Sequence, residues 1–174
     1  MNKKFITIVT LIAIAALSRF LPFQSNFSPM GAIALFSGAF IANRYLAVAL
    51  PLIALFISDI FIGLYGAGMI PVYTCTALFS VIGIFVTNKN NPLSILGSSL
   101  LGSIIFYLVT NFTFVYSADN MLYPHSFAGV FQSYFAALPF FKSSVQSDIL
   151  FTILLFGAYY LLKINIPFLK EEKI

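Results

Sequence analysis

Ser94–Tyr116 reads SILGSSLLGSIIFYLVTNFTFVY, a run of apolar, small and hydroxyl-bearing residues without one charged side chain. Wound as an α-helix at ~1.5 Å per residue, it spans the roughly 30 Å hydrocarbon core of a bilayer. Lipid offers no partner to a backbone N–H or C=O, so a segment of this kind satisfies its own polar groups as a helix. Working outward, five more apolar stretches appear at about 5–22, 29–42, 45–65, 71–87 and 145–163. The second is short, which suits burial among its neighbours. Breakers separate them: Pro22 to Pro29, Asn43-Arg44, Gly63 to Pro71 and Asn88 to Pro92. Ser117 to Ser144 is interrupted by Gly129, Gln132, Ser133 and Pro139, and is expected to form an outer loop with a short helix lying over the bundle.

Composition agrees. With 60% hydrophobic and 8% charged residues and a mean hydropathy of +1.00, the chain reads as an integral membrane protein. The expected fold is all-α: a single membrane domain over 1–174, a bundle of six transmembrane helices. No internal repeat is visible. The first stretch has a second reading as a cleaved signal peptide, since Lys3-Lys4 precedes an apolar run containing Ala13, Ala15, Ala16 and Ser18. Its length and the lack of a clear cleavage site before Arg19 favour a retained helix.

Absent residues exclude several chemistries. A lone cysteine, Cys75, forms no intramolecular disulfide and no multi-cysteine zinc or iron-sulfur site, and a lone histidine, His125, forms no His-x-x-x-His pair. There is no phosphate-binding glycine loop and no Gly-x-Ser-x-Gly elbow, and no motif places a serine opposite His125. The net charge of +4 collects at the ends of apolar segments and not in a basic stripe, so no nucleic-acid partner is expected. Binding or transport is favoured over catalysis.

The same charges orient the helices. With both termini in the cytoplasm, Lys3, Lys4, Arg44, Lys89, Lys163, Lys170 and Lys173 lie inside, and only Arg19 and Lys142 lie outside. Arg19, Asp59 and Asp148 then fall in the outer half of the membrane, with Tyr73, Cys75, Asn111 and His125, and imply a polar outer cavity. Asp59 is costly to bury alone, so it is expected either to meet a ligand or to pair with Arg19 or Lys142. Asp148, at the expected start of the sixth helix, suits a capping role. Cys75 supplies the one soft ligand atom, although an isolated cysteine in an apolar helix is ordinarily a packing residue.

An ordered series of short motifs then points to a family: Arg19-Phe20-Leu21-Pro22, Asn26-Phe27-Ser28-Pro29-Met30-Gly31-Ala32, Ser58-Asp59-Ile60-Phe61-Ile62-Gly63, Thr110-Asn111-Phe112, Tyr123-Pro124, Ala137-Leu138-Pro139-Phe140-Phe141-Lys142, Asp148 and Phe156-Gly157. From Arg19 to Gly157 the chain resembles the BtuM-like solitary S-components, the six-helix substrate-binding subunits of energy-coupling factor transporters. The resemblance implies a bacterial inner-membrane protein that takes cobalamin, or another vitamin-sized molecule, from the outer side, in partnership with an energy-coupling module of transmembrane subunit and ATPases. It implies a cobalt ligand at Cys75, with removal of a cyanide ligand as a conceivable side activity. Cobalamin would be bound as substrate, and no other cofactor is implied. Asn26 and Asn111 would donate to the corrin periphery, a role for which hydrogen bonding between helices is the alternative, and Tyr73, Phe140 and Phe141 would wall the pocket, with core or lipid contact as the ordinary fate of any one ring. Tyr123, His125, Lys142 and Gln24 complete the candidate set. Gln24-Ser25 stands where the family reads His-Pro-Pro, which leaves no imidazole there. Two rival readings stay open: another small molecule with Cys75 as packing, and a membrane enzyme acting on a lipid or on cobalamin.

Overall fold

The computed structural model describes residues 3–86, 91–117, 122–166 and 169. Among the described residues six α-helices follow one another: α1 (Lys3–Leu17), α2 (Met30–Phe40), α3 (Arg44–Ile62), α4 (Met69–Phe85), α5 (Pro92–Val115) and α6 (Phe127–Asn165). Single 3-10 turns occupy Ser18–Phe20 and Gly66–Gly68. Among the described residues there is no strand. Four helices, α3 to α6, are long and apolar enough to cross a membrane, and the chain is of multi-pass membrane type. The turn expected at 88–90, with Lys89, Lys170 and Lys173, lies outside the described residues.

Side chains set the helix starts. Asn43 accepts hydrogen bonds from the backbone N–H groups of Tyr45 (3.0 Å) and Leu46 (3.1 Å), and Asn91 accepts from Leu93 (3.0 Å) with Pro92 in the first turn of α5. Gly63, at φ 127°, closes α3 in a conformation an L side chain rarely adopts.

The short second helix is the centre of the molecule. It packs against all five others, and Ile33, Ala34, Leu35 and Phe36 are wholly buried. A helix apolar on every side has no solvent face to keep, so burial is its stable place. Its length, eleven residues, is too short to span a bilayer. Small residues let its backbone approach α4 closely: a Cβ at Gly38 would strike the Ser80 carbonyl, and one at Gly83 would strike the Leu35 carbonyl. The rings of Phe36, Phe40, Phe156 and Tyr159 fasten it to α6, with Phe40 and Tyr159 centroids 4.3 Å apart.

Two expectations are corrected here. The region read as an outer loop with a short helix is, from Phe127 onward, the first part of α6, whose 39 residues run on through Pro139. At ~1.5 Å per residue it measures on the order of 60 Å, about twice a bilayer core. Two of the residues that looked like interruptions, Gly129 and Ser133, belong to its packing face, while Gln132 and Pro139 are exposed. Gly129 lies under the Pro124 carbonyl, and buried Ser133 donates to the Asn111 carbonyl of α5 (3.3 Å). The Tyr107 hydroxyl of α5 donates to the Tyr134 carbonyl (2.6 Å). Ser126 caps the start, accepting from the Gly129 N–H (3.3 Å). Consequently Asp148 caps nothing: it stands well inside α6, where backbone donors are already used.

Candidate functional site

Two cavities of about 390 Å³ each open at one end of the bundle. They draw on the 3-10 turn and loop after α1, the start of α2, the end of α3, the Tyr65 loop, the start of α4, the second half of α5 and the middle of α6. Asn26, Tyr65, Val72, Phe106 and Ser144 line both, so the two are compartments of one space. A third cavity, lined by Lys4, Ile8, Asn43 and Leu46, lies where the chain enters α1 and passes from α2 to α3.

The first compartment holds Arg19, Asn26 and Asp148, with Phe23, Phe27, Phe79 and Phe106 among its walls. The Asp148 carboxylate accepts from the Ser103 hydroxyl at 2.7 Å through Oδ2, while Oδ1 occupies the place a Cβ on Gly31 would need. Glycine at position 31 is thus what lets a carboxylate of α6 lie against α2. Ser144 and Ser147 stand beside Asp148 at helical spacing. Asn26 sits at φ 61°, a conformation asparagine tolerates better than most residues, and its carbonyl accepts from Ser144 (3.4 Å).

Behind this compartment, the expected pairing of Asp59 with Arg19 is present. Arg19 Nη2 lies 2.8 Å from Asp59 Oδ1, and Nη1 donates to the Leu55 carbonyl (3.2 Å) and to the Ser58 hydroxyl. The Tyr73 hydroxyl donates to Asp59 Oδ2 at 2.8 Å. Asp59 is 1% exposed, so the pair satisfies a charge that would be costly alone. Tyr65 stands at the cavity mouth; burial pushes its hydroxyl up to about 12, and the nearby Asp59 carboxylate adds to the shift.

The second compartment holds Asn26, Asn111 and Phe140. Asn111 donates one amide hydrogen to the Tyr107 carbonyl one turn back (2.8 Å). Other candidates lie elsewhere. Gln24, Lys142 and His125 are exposed; the His125 ring stacks at 5.7 Å on Tyr116, and Tyr123 meets Phe114 edge-on at 6.3 Å. Cys75 is a free, buried thiol that lines neither compartment. Val72, Thr76 and Phe79 form the cavity-facing stripe of α4, and Cys75 points aside from it. Among the described residues no group of three or more His, Cys, Asp or Glu is arranged to hold a metal ion.

Residues 1–169 match the model of DUF6580, described as a family of unknown function. The chain belongs to that family. No curated protein and no solved structure matches it.

In this DUF6580 chain the cavity residues that escape a sequence reading are Phe27, Tyr65, Phe79, Phe106, Ser144 and Ser147, with Ser103 behind them as the partner of Asp148. The serines carried a signal: Ser144, Ser147 and Asp148 share a helix face once α6 is started before position 145. The phenylalanines carried none, because 21 Phe residues are spread along the chain.

Proposed function

We propose that this protein is an S-component-like substrate-binding subunit of the bacterial inner membrane, with both termini in the cytoplasm, which takes a vitamin-sized organic molecule into the joined cavity from the outer side. An energy-coupling module of transmembrane subunit and ATPases is its proposed partner. The observation that carries the reading is the two-compartment cavity at the end remote from Lys3, Asn43 and Lys163, walled by aromatic rings and holding a few placed polar groups. The lysine and arginine distribution puts that end outside, and the motif series supplies the resemblance to S-components.

The test is thermal unfolding of the full chain in detergent against a panel of water-soluble vitamins. One compound should raise the unfolding temperature, and Ser144→Phe, which places a ring where the compartments meet, should remove the effect while the variant still folds. Stabilisation by no compound, or equal stabilisation of Ser144→Phe, would sink the proposal.

Cobalamin is the substrate the resemblance names, with cobalt on Cys75. Ligation needs the sulfur in the cavity wall, and Cys75 is not among the lining residues. The geometry therefore supports uptake of another small molecule with Cys75 as packing. Exchange of an axial ligand changes the electronic structure of cobalt, so the visible spectrum decides: cobalamin added to the protein should keep its free spectrum. A shift that disappears in Cys75→Ser would reinstate cobalamin.

A further inference from the structure

We infer that the ligand of this cavity carries a positively charged nitrogen group with N–H donors on a flat apolar body, and that Asp148 is its counter-charge. This rests on the binding role proposed above for the same cavity and names the chemical class that fits it.

Asp148 lines the first compartment and is 5% exposed, yet among the described residues it makes no ion pair. One hydroxyl, Ser103, bonds one of its oxygens. A carboxylate removed from water needs a cation or a proton, because hydrogen bonding from a single neutral donor does not replace its hydration. The cation on the same wall is already committed: the Arg19 guanidinium serves Asp59, Ser58 and the Leu55 carbonyl. Lys142, on the same helix, is exposed. The missing charge can come with the ligand.

The hydroxyls around Asp148 point to the same class independently. Three that line the compartment spend their one hydrogen on the backbone: Ser144 on the Asn26 carbonyl (3.4 Å), Ser147 on the Ser144 carbonyl (2.9 Å) and Thr76 on the Val72 carbonyl (2.9 Å). What they have left is lone pairs. The side of the compartment around Asp148 thus offers a carboxylate and three hydroxyl acceptors, which suits a ligand rich in donors. Its Phe27, Phe79 and Phe106 rings suit a flat body, and an aromatic face attracts a cation.

Three small probes of one shape separate the charges: benzamidinium, benzamide and benzoate, each added to the detergent-purified full chain and read by thermal unfolding and equilibrium dialysis. Benzamidinium should bind, benzamide about tenfold more weakly and benzoate not at all. Asp148→Asn should bring benzamidinium to the level of benzamide while gel filtration shows the fold retained. The charge series on the wild-type protein reads the proposal without any variant, so a variant that fails to fold leaves the test intact. Equal binding of all three probes, or benzamidinium binding unchanged in Asp148→Asn, overturns the charge assignment and leaves the cavity reading standing. A vitamin from the panel that stabilises the protein, carries no cationic nitrogen and is indifferent to Asp148→Asn overturns it too. Silence from every probe and every vitamin overturns both readings.

Discussion

The guanidinium of Arg19, in the turn that ends α1, lies 2.8 Å from the carboxylate of Asp59 in the last turn of α3. The pair ties two helix ends behind the first compartment, and the Tyr73 hydroxyl adds α4 to the knot. Three helices thus meet on one buried charge, whose neutralisation leaves Asp148 as the carboxylate that faces the cavity without a cation.

Breaking the pair from one side leaves a buried charge unmatched. Arg19→Gln and Asp59→Asn should each destabilise the protein by about 3 kcal/mol. The double variant should cost less than the sum of the two, a coupling that a double-mutant cycle of unfolding in detergent measures directly. Strict additivity would show that the two side chains do not act on each other.

The crossing of α2 and α4 should tolerate no added methyl group. Gly38→Ala and Gly83→Ala each press a Cβ into a backbone carbonyl of the facing helix, and carbonyls in a helix cannot turn away. Both variants should be lost to aggregation or unfold at clearly lower temperature, by about 2 kcal/mol or more. Gly97→Ala and Gly157→Ala, where a Cβ meets nothing within 4 Å, should be neutral. Equal behaviour of the four would refute this account of the seam.

Cys75 should behave as a buried packing thiol. At 1% exposure it should resist a maleimide in the folded protein and react in full once the chain is unfolded in denaturing detergent. Cys75→Ala should cost about 1 kcal/mol. Rapid alkylation of the folded protein would place the sulfur in an open path and revive a ligand role.

Orientation can be read in intact cells. In a Cys75→Ala background, a membrane-impermeant maleimide should label Gln24→Cys, in the exposed loop over the cavity, and leave Asn43→Cys, between α2 and α3, unlabelled. The reverse pattern would turn the cavity toward the cytoplasm and remove the uptake reading.

Much of this was legible in the chain. Apolar runs with breakers between them located five helices to within a few residues, since in lipid a span must be both apolar and helical. The short run 29–42 also announced a buried helix, and the cost of a lone intramembrane carboxylate announced a partner for Asp59. The start of α6 was misread because Gly129, Ser133 and Pro139 look like breakers in a list of residues. Gly129 and Ser133 become a packing face only when the Pro124 carbonyl and the Asn111 carbonyl of α5 stand against them, and Pro139 is carried on the exposed side of the helix.

What the sequence by itself determined is therefore the class and the segments: a helical membrane protein, where its helices run, and which few charges must be answered. Those follow from local chemistry, the transfer of each side chain and each backbone group into lipid. Only the tertiary structure decided which charge answers which. Arg19 reaches Asp59 and not Asp148, and Thr76 lines the cavity while Cys75, one residue away, does not. A helix turns through about 100° per residue, so the face a side chain occupies depends on how each helix is rotated against its neighbours, and that rotation is set by contacts such as Gly31 with Asp148 and Gly38 with Ser80, between residues far apart in the chain.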